Sequence, residues 1–359
     1  MARANRHNRG VTHTVTLQAT GKTFDVGDDE SVLDAARRAG LALPYSCLSG
    51  VCGSCKATLL AGDCAYPHLP PNALNAAEVA HHQVLLCQAV PRSDLVIAAR
   101  EIPSVAHMPR RTLPLKLVHK NRLAPDVMQL ILKPPRGERL LRLAGQYLDV
   151  LLPDNRRRAF SIANAPHLGP EIELHVRHVA GGDFTHRVFT DLEPGALLRV
   201  EGPLGTFVPR EHSERRMIFV AGGTGFAPIK ALVEHFLHLG TRRAITLYWG
   251  ARSQPELYMS DLPQRWADAG ALRFVPVISE REQAGGLRAG FVHEAVLEDC
   301  ADLSAADVYM SGPPALIDAG RRRFVQAGLP EERLYYDSFD YAPDVLAQIL
   351  HSRAGIHDA

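Results

Sequence analysis

Cys47, Cys52 and Cys55 stand at C-x4-C-x2-C spacing in LPYSCLSGVCGSCKATLLAG, and Cys87 follows in LLCQA. That spacing suits a [2Fe–2S] cluster, in which four thiolates must reach two irons from one loop and a remote fourth ligand. Gly50 and Gly53 let the backbone fold closely over the inorganic sulfides and aim amides at them, which stabilises the cluster's negative charge. The alternative is a structural zinc site. Zinc favours paired C-x2–4-C elements or added histidines, and His81 and His82 lie near Cys87 in sequence. Cys64 and Cys300 fit neither pattern and read as small core residues.

A second tract, RRRAFSIAN, carries Arg158, Phe160 and Ser161 in an R-x-F-S arrangement after AGQY. A flavin adenine dinucleotide needs a cation at its pyrophosphate, a ring against the isoalloxazine and a hydroxyl or amide near N5. Arg158, Phe160 and Ser161 can supply these in turn. HVRHVAGGDFT follows and adds His175, Val176 and Arg177 as candidate cofactor contacts. Gly181, Gly182 and Thr185 can bring amides and a hydroxyl to the phosphates. By itself R-x-F-S also describes an exposed strand with a core Phe. Its position gives it value, between a cysteine-rich segment and a nucleotide-type turn.

That turn is VAGGTGFAPIKALVEH, with Gly222, Gly223, Thr224 and Gly225 leading from strand to helix. Glycines there let a pyrophosphate approach the backbone at a helix N-terminus, and Pro228 suits the first helical turn. The pattern is not G-x-G-x-x-G, and a Gly-rich turn alone can be a tight connection. A second loop, SGPPALIDAG, places Ser311, Gly312 and Pro313 after another strand. In YYDSFDY, Phe339 can shield a flavin and can equally be core. VISEREQ ends the third strand of this segment. There the Glu280 carboxylate repels a 2′-phosphate and can accept a ribose hydroxyl, which predicts NADH over NADPH. Arg252 and Arg281 nearby act against it.

The elements that position these residues fall into three rhythms. In the first, an alternating strand Val11 to Leu17 precedes a helical run, VLDAARRAGLAL, capped by Ser31 and stopped by Gly40. After a linker at about 102–113, LPLKLVHK, DVMQLILK, QYLDVLL, RAFSIAN, IELHVRHV and LLRVEGP read as short strands of an antiparallel barrel. From 216, strand–helix alternation predicts a doubly wound parallel sheet. The 359 residues suit two or three domains, and 46% hydrophobic with 22% charged is ordinary for a soluble protein. A net charge of +1 leaves no footprint for nucleic acid or anionic membrane. No apolar window reaches membrane-spanning length, and MARANRHNRG is basic without an apolar core, so it reads as a disordered tail. Six cysteines are too few for a disulfide scaffold, and a reducing cytoplasm is the natural compartment.

On the cysteine motif, residues 12–100 resemble plant-type [2Fe–2S] ferredoxins. On R-x-F-S and G-G-T-G-x-A-P, residues 114–340 resemble the ferredoxin–NADP reductase superfamily. That family usually has Tyr at Phe160, and C-G-P-P where this chain has Ser311, Gly312 and Pro313. Loss of that Cys puts the family's usual rate assistance at the nicotinamide in question. The order of segments resembles reductase components of Rieske-type and phenol hydroxylase-type oxygenases, and also CDP-6-deoxy-3,4-glucoseen reductases. HVRHVAGGDF, YWGARSQPELYM and FVHEAVLED look like both groups.

The resemblance implies a multidomain α+β and α/β protein. It has a tail at 1–11, a β-grasp ferredoxin domain at 12–102, an antiparallel β-barrel FAD domain at 110–212 and a doubly wound NAD domain at 213–345. It further implies an NADH-dependent iron–sulfur flavoprotein oxidoreductase that is cytoplasmic and acts as a monomer. Electrons would pass from NADH to FAD to [2Fe–2S] and on to a partner terminal oxygenase, with Ser161, Ser311 and Phe339 nearest the chemistry. The alternatives are a partner that deoxygenates a CDP-sugar, a standalone NADH:acceptor reductase, and a redox sensor.

Overall fold

The computed structural model describes residues 12–339; the predicted tail at 1–11 and residues 340–345 of the predicted third domain lie outside them. The chain divides into two compact units between Met108 and Pro109.

The first unit is built on β1 (Thr12–Leu17), β2 (Thr23–Gly27), α1 (Val32–Arg38), β3 (Lys56–Ala61), β4 (Cys64–Ala65), α2 (Ala76–Ala80), β5 (Gln83–Leu85), β6 (Val90–Pro91), β7 (Leu95–Ala98) and α3 (Pro103–Ala106). Five of the strands form a sheet in the order β2-β1-β7-β3-β5. β1 and β7 run parallel while the other neighbours run antiparallel, which is the mixed β-grasp arrangement. Alternation along β1 turns Val15 and Leu17 into a core shared with Leu33, Leu43, Leu85 and Ile97. Ser31 caps α1 by accepting from the Asp34 amide at 3.1 Å. The helix is shorter than the apolar run: Gly40 turns left-handed at φ 75°, and Leu41 to Leu43 continue beyond it. The expected linker holds the short α3, and the next strand begins earlier than predicted, at Arg111.

The second unit opens with β8 (Arg111–Ala124), β9 (Val127–Lys133), β10 (Tyr147–Leu151), β11 (Arg157–Ser161), β12 (Ile172–Arg177), α4 (Asp183–Phe189) and β13 (Leu197–Leu204). These strands form an antiparallel sheet in the order β11-β10-β13-β8-β9-β12. Ile162, just past β11, bridges Leu174 of β12, so the two edge strands meet and the sheet closes into a barrel. Leu115, Leu130, Leu148, Leu174 and Val200 fill it, and Phe184 and Val188 of α4 complete its core.

The same unit continues through β14 (Arg216–Gly222), α5 (Phe226–His238), β15 (Ile245–Ala251), α6 (Asp261–Asp268), β16 (Arg273–Ile278), β17 (Arg288–Ala289), α7 (Val292–Asp299), β18 (Ala306–Gly312), α8 (Pro314–Gln326) and β19 (Leu334–Ser338). All six strands run parallel in the order β17-β16-β15-β14-β18-β19. Along β14, Met217, Phe219 and Ala221 enter one core while Ile218 and Val220 enter the other. Both faces are therefore covered, which explains why MIFVA is apolar throughout. The chain builds outward from β14 to β17 and then returns to place β18 beside β14. Strand order reverses between those two, which is where such sheets bind ligands.

Candidate functional site

The loop between α1 and β3 holds three of the four thiols. Leu48, Gly50 and Gly53 adopt positive φ of 60°, 78° and 74°, so the chain winds tightly and turns amides inward. The Ser49 amide donates to Cys47 Sγ at 3.4 Å, and the Ser54 amide to Cys52 Sγ at 3.4 Å. Gln88, next to Cys87, braces the loop by donating to the Leu48 carbonyl at 2.9 Å.

The thiols come in pairs. Cys55 and Cys87 place their sulfurs 3.2 Å apart, and Cys47 is hydrogen-bonded to Cys52. The hydrogen bond from Cys52 and the amides of Ser49 and Val51 hold the Cys47 thiol down to about 5, against the opposing effect of burial. The hydrogen bond from Cys55 likewise lowers Cys87. The donors of those bonds, Cys52 and Cys55, are pushed up in turn; the two pairs of sulfurs suit two irons, each needing two protein ligands besides bridging sulfide. Among the described residues no three His, Cys, Asp or Glu side chains are grouped to hold one metal ion. His81 and His82 are exposed, and the His81 ring is engaged with the Ala77 carbonyl. Cys64 packs against the first unit's core and Cys300 against one face of the parallel sheet.

In the barrel, β11 presents Arg158 and Phe160 on one face and Ser161 on the other. Arg158 is buried and donates to the Arg157 carbonyl at 3.0 Å; the Phe160 ring lies 5.5 Å from Phe184. Ser161 Oγ donates to Asp337 Oδ2 on β19 at 3.1 Å. Gly181, at φ 77°, and Gly182 lead into α4. The Thr185 hydroxyl is turned back into this loop, accepting from the Val179 amide at 3.1 Å and bonded to the Gly182 carbonyl at 3.0 Å. Val176 is a barrel core residue. His175 is buried between Glu173, 2.9 Å from Nε2, and the Tyr258 hydroxyl, 3.0 Å from Nδ1. Arg177 donates to Asp126 at 2.8 Å, and its buried Nη2 has no hydrogen-bond partner among the described residues. That nitrogen lies 3.5 Å from where a Cβ on Gly223 would stand.

At the switch point the two Gly-rich loops touch. A Cβ on Gly225 would fall 2.1 Å from the Ser311 carbonyl oxygen, and one on Gly222 would fall 2.6 Å from Leu316. Gly223 turns left-handed at φ 54°, and its carbonyl accepts from Trp249 Nε1 at 2.9 Å. Thr224 is half-buried beside it, and Pro228 is buried in the first turn of α5. Ser311 is fully buried, and its hydroxyl has no hydrogen-bond partner among the described residues. The Phe339 amide donates to the Gly312 carbonyl at 2.9 Å, and Pro313 caps α8. Glu280 and Arg252 are exposed; the Glu280 amide bonds the Arg252 carbonyl, and Arg252 pairs with Glu256 at 2.8 Å.

Several participants escape sequence reading. Asp337 stands in a quoted motif that drew notice only for its Phe. Lys230 and Glu173 look like stray charges in apolar elements, which is the one signal that could have flagged them.

Comparison with known proteins agrees with this anatomy. Residues 15–92 match the family described as 2Fe-2S iron-sulfur cluster binding domain. Residues 114–208 match the oxidoreductase FAD-binding domain, and 219–322 the oxidoreductase NAD-binding domain. The CDP-6-deoxy-L-threo-D-glycero-4-hexulose-3-dehydrase reductase of Yersinia pestis is 38% identical over 90% of this chain and 98% of its own length. Reductase component 2 of terephthalate 1,2-dioxygenase from Comamonas sp. is 35% identical over 93% of this chain and 99% of its own. The crystal structure of the Amycolatopsis cytochrome P450 reductase GcoB superposes with a TM-score of 0.71 at 31% identity, covering 91% of this chain and 99% of that one.

Fold and site thus define an iron–sulfur flavoprotein oxidoreductase. The chain belongs to the family of electron-transfer reductases that join a [2Fe–2S] ferredoxin domain to FAD- and NAD-binding domains. Its cofactors are a [2Fe–2S] cluster, FAD and NADH.

Proposed function

We propose that this reductase supplies electrons one at a time to a partner terminal oxygenase. The observation that carries the reading is the pairing of four thiols, three in a loop rich in inward amides and the fourth, Cys87, brought to it from beyond β5. A reductase serving small acceptors needs no such outlet. When bound, FAD exchanges the two electrons of a hydride for single electrons, which the cluster carries onward.

Cys47, Cys52, Cys55 and Cys87 hold the cluster in this reading. Arg158 and Phe160 serve the flavin, with Gly182 and Thr185 shaping the phosphate loop. Ser161 donates to Asp337, which leaves its oxygen free to accept a proton-bearing nitrogen of the flavin. Arg177 belongs with the pyridine nucleotide, because its unpaired nitrogen lies beside Gly223. Ser311 faces the nicotinamide: a buried hydroxyl without a partner costs about 1–3 kcal/mol, and a carboxamide can relieve it. Gly222, Thr224, Gly225, Gly312 and Pro313 form the walls, and Arg252 and Glu280 line the ribose end. The chain works in the cytoplasm, where thiols stay reduced, and as a monomer. Among the described residues no helix is long and apolar enough to cross a membrane.

The 38% identity to the Yersinia dehydrase reductase favours a second reading, in which the partner is a CDP-sugar dehydrase. Reconstitution decides. Terminal oxygenases and a CDP-hexulose dehydrase are each combined with the reductase and NADH, and product is measured. Turnover by an oxygenase supports the first reading; turnover by the dehydrase alone replaces it with the second.

A further inference from the structure

We propose that Lys230 is a positioning residue for hydride transfer, clamping the end of the flavin strand to the helix that follows the nucleotide loop. The inference rests on the assignment of Ser161 to the flavin and of the Gly222–Gly225 loop to the nicotinamide nucleotide.

Lys230 lies on α5, five positions after Gly225, and is 5% exposed. Lysines are almost never this buried without partners. All three of its ammonium hydrogens have an acceptor: the Ala163 carbonyl at 3.0 Å, Glu173 Oε2 at 2.9 Å and Glu234 Oε1 at 2.8 Å. Ala163 stands two residues after Ser161. The other oxygen of Glu234 accepts from the Ala165 amide at 3.0 Å, so the same cluster grips the strand end twice.

The cluster also runs back to the nucleotide loop. Glu173 Oε1 accepts from Gln129 at 2.7 Å and from His175 at 2.9 Å, and His175 meets the Tyr258 hydroxyl at 3.0 Å. The Tyr258 ring stands edge-on to Trp249, 5.1 Å between centroids, and Trp249 donates to the Gly223 carbonyl. One end of this chain of contacts is therefore the nucleotide loop and the other is the flavin strand.

Buried ion clusters add little net stability compared with apolar packing, so stability alone gives weak reason to bury a lysine here. What such a cluster supplies is a single allowed geometry. Hydride transfer is sensitive to that geometry, because reacting atoms must approach to about 3–3.5 Å and a displacement of about 1 Å can cost roughly 100-fold. Lys230 touches no reacting atom in this arrangement and acts through Ala163 and Ala165.

The test uses the full-length holo-protein. In Lys230→Met, FAD content, the cluster's paramagnetic resonance signal and the NADH dissociation constant should stay near wild type. The limiting rate of flavin reduction by saturating NADH should fall roughly 10- to 100-fold. Independently of activity, peptides spanning 162–165 should exchange amide hydrogens faster. Lys230→Arg, which keeps the buried cation, should recover most of the rate. An unchanged limiting rate per bound flavin in Lys230→Met overturns the proposal. In case that variant does not fold, Glu234→Gln decides by the same rate: slower reduction supports the clamp, and a wild-type rate overturns it. Ser161→Ala, measured alongside, separates the premise from the proposal. A wild-type rate there sinks the flavin assignment, whereas a wild-type rate confined to the Lys230 and Glu234 variants sinks only the clamp.

Discussion

Ser161 of β11 and Asp337 of β19 are 176 positions apart in sequence and share a hydrogen bond of 3.1 Å. The bond spans from the barrel to the last described strand of the parallel sheet. It orients the one hydroxyl of the R-x-F-S tract and places a buried carboxylate beside it.

Ser161→Ala should slow flavin reduction by NADH roughly tenfold or more, with FAD retained, since a positioned proton partner is typically worth 10²–10⁴ at most. Asp337→Ala should act in the same direction. Because the two side chains are bonded, the double variant should fall short of the sum by about 0.5–3 kcal/mol. Stopped-flow reduction of all four proteins checks this, and strict additivity would sink the coupling.

Cys87→Ser should lose the cluster signal while the second unit stays folded, because compact units fold largely independently. NADH oxidation with ferricyanide should survive, and cytochrome c reduction should fail. Arg158→Ala should weaken FAD retention and remove both activities with the cluster signal intact. Full cytochrome c reduction by cluster-free Cys87→Ser would make the flavin the exit point.

NADH should be used in preference to NADPH. Glu280 is exposed after β16, and two like charges about 4 Å apart repel by about 1 kcal/mol in water and more near a protein surface. Glu280→Ser should narrow the ratio of kcat/KM values by several-fold. A wild-type enzyme with the higher kcat/KM for NADPH refutes the prediction.

Acid should unfold the second unit in two stages. Burial holds His175 below its ordinary 6.5, so the unfolded chain takes up its proton first and stability falls as pH drops below about 6.5. Burial would raise Glu173, yet the His175 hydrogen bond and the Lys230 charge hold it down to about 2 from 4.5. Its contribution is present above 4.5 and is lost between 4.5 and about 2. Thermal unfolding against pH checks both windows, and His175→Gln should erase the upper one. A transition temperature flat from pH 7 to 5 in the wild type contradicts the prediction.

Gly225→Ala should destabilise the second unit by about 1–3 kcal/mol, since its Cβ would stand 2.1 Å from the Ser311 oxygen. KM for NADH should rise as the loops part, while the cluster signal stays unchanged. Calorimetry and steady-state kinetics read the two effects, and a wild-type melting temperature would rule out the close approach.

What could be read from sequence was what chemistry fixes locally. Cluster ligands must share a short loop, so Cys47, Cys52 and Cys55 announce themselves by spacing. Strand and helix rhythms follow burial on one face or two, so the barrel strands and the parallel sheet were legible. Contacts made only by folding were not. The Lys230–Glu173 bond joins residues 57 positions apart; the apolar setting of each charge marks it as unusual, but nothing local names its partner. The end of α1 was legible too, because Gly40 takes the left-handed turn that stops the helix although the apolar run continues past it.

The seam of the barrel has a thermodynamic side. Ile162, which closes the sheet against Leu174, directly follows Ser161. Flavin held by that strand, as proposed above for Arg158 and Phe160, would also hold the seam, and mass action would set the gain at about 4 kcal/mol with free FAD 1,000-fold above its dissociation constant. Without flavin, the opening equilibrium of β11 from β12 shifts toward two bare strand edges, which are templates for pairing with other chains. On that reading cofactor supply would govern the soluble yield of this reductase as well as its activity, and expression in flavin-depleted cells should drive it into aggregates that added riboflavin prevents.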